Sequence, residues 1–466
     1  MSSQGRSAIA VILAAGMGTR MRSERPKLLH PLCGRPMLAY VIDAATAATG
    51  SPPLVVTSPA TAAVRDAFPE GVEWALQDEP RGTGDALRAA LAALAALGGS
   101  RARVAEIVVV SGDTPLLSAA TISALAAQRR TDGAAICLAT MRPEDPAGYG
   151  RVVRDRGGVA GIVEEKDASA AEREVEEVNA GLYAFDTAWL RARIGALEPS
   201  PVSGEIYLTD LVALARADGR RVTALEVEDE AELGGINDRV QLATAEADLR
   251  WRILEAHLLA GVSMEDPTTV FIDATVELAQ DVLLEPNVLL RGRSRVGAGT
   301  VVGAGSQLFD AVVGARCVIR ASVLESCTVE DEVTIGPFAH LRPGASIGPG
   351  AQIGNFAEVK QSRLGRGTKQ HHFSYIGDAD VGDGVNIGAG TVTVNYDGRR
   401  KHRTVIGEGA FIGSDSMLVA PLTVGAGAAT GAGSVVTHDV PPGKIAVGVP
   451  ARIRERRQRP EDERAT

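Results

Sequence analysis

The chain predicts two domains of different fold class. The N-terminal one is α/β, with a Rossmann-like, mostly parallel sheet; the C-terminal one is all-β, a parallel β-helix of hexapeptide repeats. Three observations carry this. Over residues 1–239, apolar runs of strand length alternate with alanine-rich helical stretches. Over 240–260, VQLATAEADLRWRILEAHLLA is one helical pattern without Gly or Pro, a connecting helix. Over 261–466, aliphatic residues recur at every sixth position.

At 466 residues the chain is too long for one ordinary core. Hydrophobic residues make up 45% and aromatics only 4%, so the cores must be built from Ala, Val, Leu and Ile. A formal net charge of −10 argues against a nucleic-acid partner, while anionic small substrates remain open if Arg and Lys cluster locally. The start MSSQGRSAIA lacks the apolar stretch of a secretory leader. No uncharged apolar run reaches the ~18 residues that span a bilayer, so no membrane association is expected. Cys33, Cys137, Cys317 and Cys327 show no C-x-x-C spacing and read as small buried hydrophobes in a reducing compartment, which implies a cytoplasmic protein.

In the first domain, AIAVIL (8–13), LVV (54–56), EIVVV (106–110) and AAICLA (134–139) read as buried strands. DALRAALAALAAL (85–97) is short and carries Arg88, so it is a helix laid on the sheet rather than a membrane span. Ligands of such sheets bind at the carboxyl ends of the strands, which singles out two stretches. One is LAAGMGTRM at 13–21. No Gly-Lys-Ser/Thr follows it, and Met21 replaces the third glycine of a dinucleotide fingerprint. Gly16 and Gly18 would still let backbone N–H groups approach a phosphate that Arg20 clamps; a plain turn is the competing reading. The other is Asp113 in SGD, just past EIVVV, where a carboxylate can bind Mg²⁺ or merely cap a turn.

In the second domain, Val270, Val276, Val282 and Val288 keep the six-residue spacing, as do Ile335, Leu341, Ile347, Ile353 and Val359, and again Ile406, Ile412, Leu418 and Val424. Glycine often follows, as in VGAGTVVGAGSQ, so short strands joined by tight turns would stack into roughly ten coils. The repeat breaks at 364–375 (LGRGTKQHHFSY) and 395–403 (NYDGRRKHR), both expected as projecting, functional loops. The many small residues favour homo-oligomerisation. The tail ARIRERRQRPEDERAT is expected to be a mobile terminus.

LAAGMGTRM with RPK at 25–27, QDEPRGTGDA at 77–86, SGDTPLL at 111–117 and YGRVV at 149–153 resemble the sugar-1-phosphate nucleotidyltransferases. Followed by HHFSYIGDADVGDGVNIGAG and NYDG, they resemble the bacterial family of bifunctional N-acetylglucosamine-1-phosphate uridyltransferase / glucosamine-1-phosphate acetyltransferase enzymes. The resemblance implies a left-handed β-helix, a homotrimer, and supply of UDP-N-acetylglucosamine for cell-wall synthesis. The small-molecule partners are then glucosamine-1-phosphate, N-acetylglucosamine-1-phosphate, UTP and acetyl-CoA, with Mg²⁺ as cofactor. A single-activity nucleotidyltransferase with a regulatory β-helix is the alternative, though it needs neither HFSY nor NYDG.

For uridyl transfer, Leu13, Ala14, Ala15 and Gly16 with Arg20 and Lys27 would hold the triphosphate. The resemblance assigns uracil to Gln77, Gly82 and Thr83, and the sugar to Gly150, Glu164 and Asn179. It gives Asn237, in GGINDRVQL, as the metal ligand beside Asp113. Ser111, before Gly112 and Asp113, departs from the aromatic residue usual in the family; mainly backbone contacts are expected there.

For acetyl transfer, glucosamine's ammonium must lose a proton before attack, and histidine is the natural base near neutral pH. His372 matches the family's base and His371 does not; strand alternation should turn the two opposite ways. By resemblance Arg342, Lys360 and Lys401 meet the sugar phosphate, Tyr375, Asn386 and Asn395 the sugar, and Ala389, Asn395, Tyr396, Ser414 and Ala432 the acetyl-CoA. Gly448 stands where an arginine often meets the CoA phosphates, with Arg452 or Arg454 as substitutes. A zinc site on His340, His371 and His372 would be crowded by the positive charge of Arg342, Lys360 and Lys401.

Overall fold

In the computed structural model, which describes residues 8–456, the run AIAVIL forms strand Ala8–Leu13. It lies between Leu54–Thr57 and Glu106–Ser111 and runs parallel to both. The main sheet follows the order Val222–Glu226, Ile136–Met141, Val178–Asp186, Glu106–Ser111, Ala8–Leu13, Leu54–Thr57, Glu73–Leu76. Val178–Asp186 alone along this path runs antiparallel to its neighbours. The central strands are apolar throughout because helices cover both faces of such a sheet. Helix Thr83–Leu97 presents Leu87, Ala90, Leu91 and Leu94 to the core, a helical spacing that buries one stripe. Arg88, on the same helix, donates to the carbonyls of Ile194 and Leu197.

Parallel register brings the carboxyl ends of two strands side by side, Leu13 opposite Ser111. Gly112 makes that closure possible. Its N–H donates to Leu13 O at 3.0 Å, and a Cβ there would stand 2.9 Å from the same oxygen.

Contacts divide the chain into two units at Leu249 and Arg250, inside helix Arg239–Leu259. In the second unit, strands mostly of two to four residues build three sheets of twelve, ten and nine strands among the described residues. One inward column holds Leu284, Val302, Ile319, Ile335 and Ile353, each paired with the next. Members of this column stand one coil apart, and the hexapeptide period is the step along the chain from the buried aliphatic side chain of one sheet to that of the next, as from Leu284 to Leu290 to Val296. Each such burial contributes about 1.5–3 kcal/mol.

Three expectations need correction. Residues 364–375 are not a projecting loop: Arg363–Leu364, Lys369–Gln370 and Ser374–Gly377 continue the three sheets in register. The period was lost there because Gln370 fills an inward position that is aliphatic in neighbouring coils. Residues 395–403 do lengthen their coil, between Val392–Val394 and Thr404–Ile406. The tail begins as a strand, Ala451–Glu455, paired antiparallel with Lys444–Gly448, because its backbone groups find ladder partners there despite the charged side chains. The remainder of the tail, 457–466, and the N-terminal residues 1–7 lie outside the described residues. Finally, His371 and His372 occupy a bend rather than a strand, so alternation does not govern them, and both are exposed.

The four cysteines are buried, and burial pushes the thiols of Cys137 up to about 11 and Cys327 to about 12. No helix among the described residues is long and apolar enough to cross a membrane.

Candidate functional site

In the first unit, Lys27 Nζ lies 2.5 Å from Asp113 Oδ2 and 3.2 Å from Asn237 Oδ1. A carboxylate and an amide oxygen therefore converge on one cation, and oxygen pairs of this kind suit Mg²⁺, whose other ligands come from phosphates and water. Each member is held by its own element. Asp113 follows strand Glu106–Ser111, and its second oxygen accepts the Ser111 hydroxyl at 2.7 Å. The Ser111 side chain thus orients the Asp113 carboxylate. Asn237 is drawn in because Ile236 N donates to Asp113 O at 2.9 Å.

Gly18 sets the position of Lys27. At φ +65° it adopts the left-handed region, and a Cβ there would lie 2.5 Å from Lys27 Cβ. Gly16 has open space around it and lies beside the buried Ala14 and Ala15, so its backbone is free to face a ligand. Arg20 is exposed on the turn Thr19–Met21 and is not drawn into the Lys27 cluster.

Buried Gln77 spends its amide hydrogens on Gly82 O (3.2 Å) and Asp85 Oδ2 (3.0 Å), leaving its carbonyl oxygen as an acceptor. Thr83 Oγ1 accepts from Leu208 N. Gly82, at φ +118°, has room for no side chain, since a Cβ would meet Ile206 O at 2.5 Å.

Gly150, Glu164 and Asn179 form a second group. Asn179 N donates to Gly150 O at 2.8 Å, and the Gly150 Cβ position lies 3.4 Å from Glu164 Oε2. Burial raises the Glu164 carboxyl above its ordinary value, partly offset by the Thr209 hydroxyl that it accepts at 2.8 Å. Tyr149 joins the two groups. Burial first, then the charge of Asp113, raises its phenol above the usual value, and Gly235 lies within hydrogen-bond reach of it. Tyr149 was visible in YGRVV, but nothing local marked its side chain as facing Asp113.

In the second unit, the column at one corner of the coil is the informative feature. Continuing the register of Gln370 with Ile387 sets His372 opposite Ala389. Ile387 with Ile412 sets Ala389 opposite Ser414, and Phe411 with Ala429 sets Ser414 opposite Ala432. Gly448 follows last. Backbone bonds tie the coils there: Asp415 N to Ala389 O at 2.6 Å and Gly433 N to Ser414 O at 2.8 Å. A histidine thus heads a row of small side chains, a surface on which a slender chain can lie.

The strand following His372, Ser374–Gly377, carries Tyr375, and its end is paired with Lys360. Lys360, Lys401 and Arg342 are close enough that the like charge of Lys401 first, then of Arg342, lowers the Lys360 ammonium below its usual value. Such crowding favours an anion. Arg342 also pairs with Glu358 at 2.6 Å. Asn395 Nδ2 donates to Asp378 Oδ2 at 2.5 Å and lies 3.4 Å from Tyr375 OH. The loop from Asn395 is braced by Asp397, which accepts from the N–H groups of Arg399 and Arg400 at 2.7 Å each and pairs with His402. Those backbone bonds first, with His402, hold the Asp397 carboxyl down at about 2. Tyr396 OH donates to Gly398 O within the same loop. Asn386 lies in a different sheet, between Lys369 and Phe411, and is not brought to the Tyr375 group.

His340 pairs with Glu325 at 2.8 Å and His371 with Gln352 at 2.7 Å. Among the described residues, no group of three His, Cys, Asp or Glu side chains could hold a metal ion.

Comparison with known proteins agrees with both halves. Residues 10–178 match the MobA-like NTP transferase domain family, and residues 326–361 match the bacterial transferase hexapeptide family of six repeats. The chain is 48% identical over 447 residues to the bifunctional protein GlmU of Kineococcus radiotolerans, covering 95% of this chain and 90% of that one. It is 48% identical over 454 residues to the protein of the same name from Thermobifida fusca (96% and 92% covered). With that of Rubrobacter xylanophilus, identity is 46% over 444 residues (95% and 93% covered).

Proposed function

The chain belongs to the family of the bifunctional protein GlmU, and from that premise we propose how its two centres divide the work. It is an enzyme of UDP-N-acetylglucosamine synthesis with two activities. It acetylates glucosamine-1-phosphate with acetyl-CoA, then transfers UMP from UTP to N-acetylglucosamine-1-phosphate and releases pyrophosphate. The similarity runs through both halves, so a single-activity transferase with a regulatory β-helix does not account for it.

In uridyl transfer, a sugar-phosphate oxygen attacks the α-phosphorus of UTP in line with the departing pyrophosphate. Both reactants are anions, so catalysis is positioning plus charge neutralisation. Asp113 and Asn237 would hold Mg²⁺, which supplies neutralisation on the phosphates. Lys27, now shared by those two oxygens, and Arg20, exposed on its turn, would pair with phosphate oxygens. The backbone of Leu13, Ala14, Ala15 and Gly16 lines the triphosphate, flanked by Ser111 and Gly112. Gln77 with Gly82 and Thr83 reads uracil, and Gly150, Glu164 and Asn179 hold the sugar.

In acetyl transfer, His372 takes the proton of the glucosamine ammonium. The freed amine attacks the thioester carbonyl, the C–S bond breaks and the attacking nitrogen loses a second proton; of the two protons released, one goes to the departing coenzyme A sulfur by way of His372 and the other to solvent. Arg342, Lys360 and Lys401 anchor the phosphate, and Tyr375 and Asn395 orient the sugar; Asn386, on another sheet, would have to reach it from a second copy of the chain in the proposed homotrimer. Acetyl-CoA runs past Asn395 and Tyr396 along Ala389, Ser414 and Ala432. Beyond them lies Gly448, with Arg452 or Arg454 to meet the CoA phosphates. A left-handed coil, a homotrimer and a cytoplasmic setting complete the proposal on the strength of the family.

The observation that carries it is the convergence of Asp113 and Asn237 on one cation. Chelation with EDTA tests it: uridyl transfer should stop and return with added Mg²⁺, while acetyl transfer continues. Uridyl transfer that persists at full rate in excess EDTA would remove the metal from the proposal.

A further inference from the structure

One column inside the coil changes chemistry at a single step. Ile335, Ile353, Gln370, Ile387 and Ile412 stack in register, and Gln370 is 0% exposed. A carboxamide between two isoleucines has lost its water and must find partners inside the protein. Its Nε2 donates to Ser374 Oγ at 2.9 Å, while its Oε1 finds no partner. Ser374 Oγ donates in turn to the carbonyl oxygen of His372 at 2.9 Å. The buried amide therefore reaches the backbone of the proposed base through one hydroxyl.

The ring of His372 needs that support. Among the described residues it accepts or donates no hydrogen bond, and its ring stands edge-on to that of His371, 6.4 Å between centroids. His371, by contrast, is tied to Gln352. What fixes the His372 imidazole is therefore its backbone, in the bend between Lys369–Gln370 and Ser374–Gly377.

We propose that Gln370 is a positioning residue for His372: through Ser374 it holds the His372 peptide so that the imidazole stays at the head of the Ala389, Ser414, Ala432 column. The inference rests on His372 being the acetyl-transfer base. A base must lie within hydrogen-bond reach of the proton it removes, and a displacement of about 1 Å can cost about a hundredfold in rate. Packing alone would favour an aliphatic residue at 370. The carboxamide thus trades fold stability for orientation.

The test compares full-length Gln370→Leu, Ser374→Ala, Ser374→Thr and His372→Ala with the wild type, reading thermal midpoint, kcat and KM for each reaction. Gln370→Leu should melt at or above the wild-type temperature, yet lose about tenfold in kcat for acetyl transfer. Both KM values and uridyl transfer should stay unchanged. Ser374→Ala should lose a similar factor, Ser374→Thr should keep the wild-type rate, and a variant combining Gln370→Leu with Ser374→Ala should fall no further than either single one. A purely structural glutamine would move the midpoint and not kcat. Wild-type kcat in Gln370→Leu, with His372→Ala inactive, overturns the positioning role and leaves His372 as the base. Should Gln370→Leu not fold, wild-type kcat in Ser374→Ala overturns it equally. Acetyl transfer retained by His372→Ala overturns both.

Discussion

The two halves gather their functional side chains by opposite means. In the α/β unit, Lys27 meets Asp113 and Asn237 across 86 and 210 residues of sequence. Only the shared end of parallel strands explains the meeting. In the β-helix, His372, Ala389, Ser414 and Ala432 line up because each coil repeats the last in register. A solenoid turns sequence spacing into spatial adjacency, whereas a doubly wound sheet hides it in topology. Damage should spread accordingly: a lesion at the sheet's end disturbs elements far apart in sequence, while one in a coil stays among its neighbours.

The sharpest way to break this contrast is at the proposed base. His372→Ala should lower acetyl transfer by about 10²- to 10⁴-fold, the range for loss of a general base, with uridyl transfer and thermal midpoint unchanged. A parallel loss of both activities in steady-state assays would mean that the halves are not separate. Gly18→Ala probes the other half. At φ +65° with Lys27 Cβ 2.5 Å from the added methyl, the change must push Lys27 away. It should cost about tenfold in uridyl-transfer kcat and nothing in acetyl transfer.

The smallest effect concerns Glu164. Its carboxyl is held above the ordinary 4.5 by burial, so the fold prefers the protonated form. That contribution is complete below pH 4.5 and disappears as pH rises through the raised value. Glutamine cannot ionise and can still accept from Thr209. Glu164→Gln should therefore melt about 2 °C above wild type at pH 7, with the gap closing below about pH 4.5. Calorimetry of the first unit's transition across that range would show no pH-dependent gap if Glu164 were ionised without strain.

How much of this was legible beforehand follows the same contrast. The coil was readable because its buried residues keep a fixed step. It was misread where Gln370 substitutes a hydrogen-bonded amide for an aliphatic side chain, which made a regular coil look like an insertion. The start of Ala451–Glu455 was missed because a ladder of backbone bonds leaves little trace in charged side chains. In the sheet, Asp113 was accessible from its place after a β-branched run. Asn237 was accessible only by resemblance, since no local pattern ties it to Asp113. The Ser111 hydroxyl on Asp113 and the Tyr149 phenol near the same carboxylate left no signal, because each depends on where a side chain points after the strands have docked.

The most direct measurement is Asp113→Ala assayed for both reactions in one folded preparation. Uridyl transfer should fall below detection while acetyl transfer keeps its wild-type kcat and KM. Uridyl transfer near the wild-type rate, or a comparable fall in acetyl transfer, would contradict two centres of separate chemistry in this chain.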